Sequence, residues 1–428
     1  METEASNKRT VNRVVVTGIG VIAPNGSGKS EFWNSLVSGR SGISDITAFD
    51  PSNFPTKIAG QVKDFDTDKY ISRKRAALLS RFAQFSVVAS KMAVEDANLT
   101  ISEYDSGKTG IVIGTAIGGL EVAEKECASY YGWNKEPINP FSSMSMNPNS
   151  AVGCVAVDLN IKGFNMTIST GCSAGLSAIG YAYDLILAGR ADTVLAGGAE
   201  APLFPVTFAS FCSANVMTKR NDSPETASRP FDRNRDGYVL GEGAAIMLLE
   251  SLEHALARKA KIYCEIAGYA VTNDGYSIFK MEPSGSEAGR TITMAMENAG
   301  ITGSDVGYIN AHGSSSIVSD RRETTAIKNA LGDHAYNVPV SSIKSMIGQS
   351  LAAAASIQFA AGAMVVNTDL IPPTMNYETE DPECDLDYVP NKKRNGKKIN
   401  AAIINSFGAG GNNISMVLKK YVSNGIQL

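Results

Sequence analysis

Cys172 is the residue best placed to do chemistry, in the run Ser-Thr-Gly-Cys-Ser-Ala-Gly at positions 169–175. The preceding segment, Asn165 to Ile168, is predicted to be extended, and the following one, through Gly189, to form an amphipathic helix. A cysteine at such a corner meets the free N–H groups and the positive dipole end of the helix. Both favour the thiolate, which attacks acyl carbons. A lone cysteine is more often structural, so its context must decide.

His312 is the second candidate, in Asn-Ala-His-Gly-Ser-Ser-Ser at positions 310–316. It stands at the predicted end of a strand, where α/β sheets collect their functional side chains. The hydroxyls that follow it could hold a polar ligand arm. Asp320 and Glu323 lie behind it and could hold backbone groups or a cation. An ordinary loop histidine is the alternative interpretation.

Two further segments could complete a site. Lys344 stands between apolar residues in positions 341–349, just before a predicted buried helix. A buried cation needs a partner, and Asp320 or Glu323 are the obvious choices, although a surface charge is the alternative. The glycine-rich loop at 405–413 could form an oxyanion pocket with the N–H of Cys172, or could be a simple hairpin connection.

Alternating elements must position these residues. The apolar runs that predict strands are Val14–Thr17, Ile111–Gly114, Thr193–Gly197, Ala245–Leu249, Tyr308–Ala311, Ala401–Asn405 and Ile414–Leu418. Their alternation with helical segments indicates an α/β protein with strands buried on both faces. A loose echo of RVVVTGIG (13–20) in GYINAHGS (307–314) suggests two related halves. We expect a flexible tail at 1–12, an N-terminal half at 13–259 and a C-terminal half at 260–428.

Composition narrows the function classes. The chain has 428 residues, 43% of them hydrophobic and 19% charged, and a net charge of −4, so no global charge attracts nucleic acid or an anionic membrane. The polar first residues do not resemble a signal peptide, and Leu351 to Val366 predicts a buried helix rather than a membrane span. Six scattered cysteines argue against a disulfide framework or a metal site and for a cytoplasmic location.

Two glycine patterns are decoys. Residues 23–30, APNGSGKS, satisfy a relaxed phosphate-loop pattern, but Ala23 replaces the first glycine and Pro24 removes an N–H from the cradle. Gly18 and Gly20 lack the third glycine of a dinucleotide-binding turn. We therefore do not expect a nucleotide site at either place.

The four segments, together with RPFDRNRDGYVLGEG at 229–243, resemble the β-ketoacyl-[acyl carrier protein] synthases, most closely the elongating type II kind. The resemblance runs from Arg13 to Leu418, and five motifs in one order are a specific signal. It implies a thiolase fold, with two pseudo-repeated βαβαβαββ halves in a five-layered αβαβα arrangement that forms a dimer. A thiolase proper would carry a second cysteine in the loop at 405–413, which has none.

The resemblance also implies roles. Cys172 would accept an acyl group from the phosphopantetheine of an acyl carrier protein, with no tightly bound cofactor and no metal. His312 would promote decarboxylation of malonyl-carrier by a hydrogen bond to its thioester oxygen. Lys344 would order the network behind the histidine together with Glu323 and Asp320.

Further positions follow from the same motifs. The N–H groups of Cys172 and Ala409 would form the oxyanion hole, and Phe407 and Ala409 belong to the loop that gates the acyl pocket. Ser314 and Ser316 would contact the pantetheine. Ile117 and Phe211 would line the acyl pocket.

Three departures from the family stand out. Gln349 occupies the place of a second catalytic histidine; its amide can donate a hydrogen bond but cannot become cationic. Gln358 replaces a glutamate, so one potential cation and one anion are lost together, in a possible compensated change. Ala409 replaces a gating phenylalanine, which predicts weaker ordering of the substrates or a bulkier acyl chain.

The basic cluster Arg73, Lys74 and Arg75 is predicted to dock an acidic carrier protein. The sequence thus predicts decarboxylative Claisen condensation of malonyl-carrier with an acyl group on Cys172, in a type II polyketide, polyene or fatty acid pathway. The alternatives are a non-elongating acyltransferase and a chain-length partner subunit of a ketosynthase heterodimer. Whether the dimer is homomeric or formed with a ketosynthase-like partner stays open, and no nucleic acid or membrane partner is expected.

Overall fold

A computed structural model describes residues 12–132, 137–278, 280–395 and 398–422. The expected flexible tail, Asn12 apart, lies outside the described residues. The strands are β1 (Val14–Ala23), β2 (Gly26–Ser27), β3 (Ile43–Asp45), β4 (Ile58–Gly60), β5 (Thr109–Gly114), β6 (Asn165–Ile168), β7 (Thr193–Glu200), β8 (Gly243–Ser251), β9 (Cys264–Asn273), β10 (Tyr308–Asn310), β11 (Val340–Ser341), β12 (Leu370–Ile371), β13 (Arg394–Asn395), β14 (Ala401–Phe407) and β15 (Asn412–Lys419).

The helices are α1 (Lys29–Ser38), α2 (Arg73–Ala76), α3 (Arg81–Asp96), α4 (Glu103–Ser106), α5 (Leu120–Tyr131), α6 (Ser142–Ser145), α7 (Ser150–Asp158), α8 (Ala174–Leu187), α9 (Pro205–Ser213), α10 (Pro224–Ala227), α11 (Leu252–Ala257), α12 (Ser286–Asn298), α13 (Ile317–Leu331), α14 (Lys344–Ile347) and α15 (Ala352–Thr368). None of these described helices is long and apolar enough to cross a lipid bilayer.

The main sheet has the strand order β11-β10-β14-β15-β9-β1-β8-β7-β5-β6. In the N-terminal half, β1 and β7 pair antiparallel with β8, and β5 pairs parallel with both β7 and β6. The C-terminal half repeats this pattern, with β9 and β14 antiparallel to β15 and β10 parallel to both β14 and β11. The predicted repeat of two halves is therefore confirmed.

The sequence echo that suggested these halves was wrong in detail. The strand order makes β1 equivalent to β9 and β10 equivalent to β5, so RVVVTGIG and GYINAHGS lie on strands that do not correspond. Strands β1 and β9 instead pair with each other, from Val14 opposite Ile266 to Val16 opposite Cys264, and join the two halves into one sheet.

Helices α8 and α15 form the central layer between the halves. They approach so closely that a Cβ at Gly175 would lie 2.5 Å from the carbonyl oxygen of Ala352. Helices α3 and α7 cover the outer face of the N-terminal half, and α12 and α13 cover that of the C-terminal half. The result is the expected five-layered arrangement, in which α8 begins just after Cys172 and α15 just after Gln349.

The two glycine decoys have structural explanations. A Cβ at Gly18 or Gly20 would lie about 2 Å from a carbonyl oxygen of α3, so these glycines permit the helix to pack on β1. Lys29 of the phosphate-loop pattern pairs with Asp96 and the hydroxyl of Tyr263. That ammonium is already engaged within the protein.

Candidate active site

Cys172 lies in a 3₁₀ turn, Gly171–Ser173, between β6 and α8. Gly171 has a φ of 62°, a conformation that glycine adopts without a Cβ clash. The hydroxyl of Ser173 donates to the carbonyl of Thr170 at 2.8 Å and closes the turn. The predicted corner is present, and its half-buried cysteine stands at the N-terminus of a central helix.

The electrostatics of Cys172 differ from the sequence-based expectation. Burial raises the pKa of its thiol, whereas Lys344 and the backbone N–H of Ala409 lower it. The net direction is upward, so the free thiolate is disfavoured. The sequence-based expectation considered the helix N-terminus, which favours the thiolate. It did not include the free-energy cost of placing a charge on a sulfur that is shielded from water.

His312 is buried beyond the end of β10 and is held in one tautomer. Its Nδ1 accepts the backbone N–H of Phe407 at 3.3 Å, so the neutral ring carries its proton on Nε2. Burial lowers the pKa of His312 well below its ordinary value, and Lys344 and Arg322 lower it further. The ring is therefore neutral at physiological pH and can donate a hydrogen bond from Nε2.

Lys344 is buried behind this histidine, but not with the partners expected from the sequence. Its Nζ donates to the carbonyl of His312 at 2.6 Å and to Oε1 of Gln358 at 2.6 Å. Neither Asp320 nor Glu323 is within salt-bridge distance of it in the described structure. Burial lowers the pKa of Lys344, and the charge of Glu323 partly offsets this.

The two carboxylates hold backbone instead. Glu323 accepts the N–H groups of His312 and Gly313 at 2.8 and 2.7 Å, and Asp320 accepts the N–H of Ser314 at 3.0 Å. Burial raises the pKa of Asp320 to about 6, against the opposing effect of Arg235. The two carboxylates therefore fix the loop after β10 and position His312 and Ser314.

Gln358 is fully buried on α15 and uses both ends of its amide. Besides accepting from Lys344, it donates from Nε2 to the carbonyls of Ala311 at 2.6 Å and Asn405 at 3.2 Å. A carboxylate could not make the two donated bonds. The amide therefore suits this position, because it ties the lysine to the ends of β10 and β14.

One cavity of about 610 Å³ collects the candidate groups. Its lining includes Cys172, Phe211, Val216, Tyr238, Tyr276, Lys280, Met281, Pro283, His312, Ser314, Ser316, Val318, Ser319, Gln349, Leu351, Phe407, Ala409, Gly410 and Gly411. Ile117 does not line it; its N–H donates to Glu200 at 3.2 Å. Its assignment to the acyl pocket stays a prediction.

The glycine-rich loop closes one side of the cavity. Gly410 and Gly411 both have φ near 80°, so the chain turns sharply between β14 and β15. The loop brings the N–H of Ala409 to the sulfur of Cys172, where the hydrogen bond lowers the pKa of the thiol. If an acyl group were bonded to this sulfur, its carbonyl oxygen would lie beside the N–H groups of Ala409 and Cys172.

The sequence matches the N-terminal domain of β-ketoacyl synthases over residues 11–255 and their C-terminal domain over residues 263–378. The chain belongs to the β-ketoacyl synthase family. It is 46% identical over 409 residues to 3-oxoacyl-[acyl-carrier-protein] synthase 2 of Synechocystis sp., covering 96% of this chain and 98% of the relative.

Solved ketosynthase structures superpose on this synthase along nearly its whole length. One is a type II polyketide ketosynthase in complex with its acyl-carrier protein and bound to the hexaketide, with a TM-score of 0.89 and 38% identity. Another is the ishigamide ketosynthase/chain length factor, with a TM-score of 0.89 and 33% identity. Each alignment covers 96% of this chain and 100% of the other. The protein is thus a condensing enzyme of the acyltransferase class.

The structure adds residues to this ketosynthase site that the sequence analysis missed. Tyr238 lines the cavity from the 229–243 motif, which had served only as a family signal. Lys280 lies at the cavity in the loop after β9. Glu200 is buried and receives N–H groups of Ala116, Ile117 and Ala352. The conspicuous Gly-Gly-Ala-Glu end of β7 was the available signal for Glu200.

The predicted docking cluster is partly neutralised within the synthase. Arg73 pairs with Asp68 at 2.7 Å, and Arg75 pairs with Asp158. Lys74 is exposed and makes no salt bridge among the described residues. It is therefore the cation of the cluster most available to a partner.

Proposed function

We propose that this synthase elongates acyl chains by condensing malonyl-carrier with an acyl group held on Cys172, in a type II polyketide, polyene or fatty acid pathway. The observation that carries the proposal is the meeting of Cys172, His312 and Gln349 in one cavity. A nucleophile alone would serve acyl transfer. A neutral histidine donor beside it provides for the second half of the reaction.

In the first step, the sulfur of Cys172 attacks the thioester carbonyl of an acyl-carrier. The N–H groups of Cys172 and Ala409 hold the oxyanion, and the pantetheine thiolate leaves with the proton given up by the cysteine. The upward shift in the pKa of Cys172 means that this proton must depart as the new bond forms. The acyl chain then occupies the apolar part of the cavity beside Phe211.

In the second step, malonyl-carrier enters with Ser314 and Ser316 along its pantetheine arm. Nε2 of His312 and the amide of Gln349 donate to the malonyl thioester oxygen. The bond from C2 to the carboxylate breaks, CO₂ leaves, and the electron pair enters a hydrogen-bonded enolate. A neutral donor suits this task because it stabilises the growing charge without first transferring a proton.

In the third step, C2 of the enolate attacks the acyl carbonyl on Cys172. The same backbone N–H groups hold the oxyanion, which collapses and expels the Cys172 thiolate. Lys344 favours that departing charge, since its ammonium lowers the pKa of the thiol. The product is a β-ketoacyl group, two carbons longer, on the carrier that brought the malonyl unit.

The carrier would dock on Lys74 and at the cavity mouth beside Lys280. Acyl carrier proteins are acidic, and neither lysine forms a salt bridge among the described residues. Tyr276 and Ile278 are exposed in the same loop as Lys280, so the mouth combines apolar surface with a free cation. Arg73 and Arg75 would contribute less, because their charges are already paired.

A second ketosynthase-like chain would dock at strand β6. This strand is the last in the sheet order, and its free edge is a ready surface for pairing. None of the residues of α5, all of them described, is buried, and Tyr131 is 80% exposed. Both features support a dimer, which is either homomeric or formed with a related chain. The six unpaired cysteines suit the cytoplasm.

The test is to incubate the purified protein with acyl-carrier and follow its intact mass, with Cys172→Ala as the control. We expect one acyl adduct on the wild type and none on the variant. Adding malonyl-carrier then separates elongation from mere acyl transfer, because only elongation yields a longer β-ketoacyl-carrier. A chain-length partner subunit would form no adduct.

A further inference from the structure

Two polar groups beside the nucleophile have no partner in the described structure. Gln349 is 3% exposed, and its Oε1 is buried without a hydrogen bond. Tyr238 is partly buried, and its hydroxyl makes no hydrogen bond among the described residues. Both side chains line the cavity that contains Cys172.

Backbone hydrogen bonds join the two segments that carry these groups. The N–H of Gln349 donates to the carbonyl of Val239 at 2.8 Å, and the N–H of Gly241 donates to the carbonyl of Gln349 at 2.9 Å. The segment that carries Tyr238 is therefore paired with the segment that carries Gln349. Tyr238 and Cys172 also pack against the same apolar cluster, which includes Leu351.

The rest of this part of the cavity is apolar. Phe211 meets the ring of Tyr238 edge to face at 6.4 Å, and Leu351 and Val216 complete the wall. An unpaired buried acceptor costs free energy unless the ligand supplies a donor. An unbranched hydrocarbon chain supplies none, whereas a hydroxyl can donate to Gln349 and accept from Tyr238.

We propose that Tyr238 and Gln349 select acyl chains that carry an oxygen atom close to the thioester over saturated acyl chains. The preferred substrate is a 3-hydroxyacyl group. The proposal rests on acyl transfer to Cys172 and narrows its substrate class. Sites built to bond a substrate hydroxyl reject the analogue that lacks it, because their own polar groups are then left unpaired. Tyr238 and Gln349 act here as specificity residues during loading.

The test compares loading of Cys172 from two pantetheine thioesters of equal length, hexanoyl and 3-hydroxyhexanoyl, by intact-mass kinetics. We expect the wild type to load the hydroxyacyl group about five- to tenfold faster. Tyr238→Phe, which removes only the hydroxyl, should lower this ratio. Gln349→Leu should lower it as well. Because each ratio is taken within one variant, a general loss of activity cancels.

Equal or faster loading of hexanoyl by the wild type would overturn the proposal, and so would an unchanged ratio in Tyr238→Phe. Failure of both thioesters to load would instead contradict acyl transfer to Cys172, and the selectivity proposal would fall with it. The circular dichroism spectrum of each variant checks that its fold is intact.

Discussion

Lys344 and Gln358 are joined by a 2.6 Å hydrogen bond beneath the catalytic cavity, so a buried ammonium is held by an amide oxygen rather than a carboxylate. The other end of the same amide donates to the carbonyl of Ala311. The sequence had indicated a compensated loss of one cation and one anion at Gln349 and Gln358. The structure gives a local reason for the change at Gln358, because an amide, unlike a carboxylate, can both accept from the lysine and donate to the strand ends.

Gln358→Glu should therefore destabilise the protein. A carboxylate oxygen would face the carbonyl oxygen of Ala311, now 2.6 Å from the amide nitrogen, and we expect a loss of about 1–3 kcal/mol. Thermal unfolding at neutral pH measures it. An unchanged or higher melting temperature at neutral pH would show that the site accepts an anion.

Alkylation of Cys172 should reveal a raised thiol pKa. Burial outweighs the effect of Lys344 and the backbone N–H groups, so the rate of reaction with iodoacetamide should keep rising from about pH 7 to about pH 9. Cys172→Ala supplies the background from the other five cysteines. A rate that reaches its plateau below about pH 7 would mean a preformed thiolate.

Decarboxylation should depend little on pH near neutrality. In the proposed mechanism His312 is a neutral donor, and its pKa lies well below the ordinary value because of burial and Lys344. Release of CO₂ from malonyl-carrier should therefore stay level between about pH 6 and about pH 8, where a histidine of ordinary pKa would change charge. A rise in rate on acidification through about pH 6.5 would indicate that the cationic ring is the active form.

Gln349→His should preserve or raise malonyl decarboxylation. An imidazole N–H can donate the hydrogen bond that we propose for the amide, and unlike the amide it can also carry positive charge. CO₂ release from malonyl-carrier is the measurement, and Gln349→Leu, which cannot donate, is the matched control with an expected loss of about tenfold or more. If Gln349→His is folded but inactive, the amide has a role beyond donating a hydrogen bond.

Removal of the hydroxyl of Ser314 or Ser316 should weaken binding of the pantetheine arm. We expect Ser→Ala at either position to raise the KM for malonyl-carrier about three- to tenfold, with a smaller change in kcat. Ser→Thr, which retains the hydroxyl, is the control. Equal KM values in the alanine and threonine variants would remove these residues from the binding site.

Charge reversal at Lys74 should impair carrier binding more than charge reversal at Arg73. Arg73 is already paired with Asp68, whereas Lys74 is free among the described residues. Lys74→Glu and Lys280→Glu should each raise the KM for the carrier several-fold at low salt, and the effect should diminish as salt increases. Lys393→Glu, outside the cavity lining, is the control. Equal KM values for Arg73→Glu and Lys74→Glu would contradict the prediction that Lys74 contributes more to carrier binding than Arg73.

Much of the fold could be predicted because its strands are continuous apolar runs. Every predicted run lies on an observed strand, except that Ala311 follows the end of β10, and Leu351 to Val366 lies almost wholly within the buried helix α15. Strand β9 was missed because alternate residues of Cys264–Asn273 are only partly buried, so it has no continuous run. The similarity between RVVVTGIG and GYINAHGS did not identify equivalent strands. Short glycine-containing runs can resemble one another by chance on strands that do not correspond.

The site was predictable as a set of residues but not as a set of contacts. Cys172, His312, Ser314, Ser316 and Gln349 all line one cavity, as their motifs implied. The partners of Lys344 could not be read from the sequence, since its nearest acidic candidates hold backbone N–H groups instead. The pKa of the nucleophile depends on burial, which spacing does not reveal.

The most direct test of the account begins with protein already acylated on Cys172 and freed of excess donor. This acyl-enzyme is mixed with malonyl-carrier, quenched over time and analysed by mass spectrometry. The account predicts that the adduct disappears as CO₂ and a carrier-bound β-ketoacyl chain two carbons longer appear, in equal amounts and at the same rate. An adduct that persists, or that is released only as the free acid or as an unextended acyl-carrier, would contradict it.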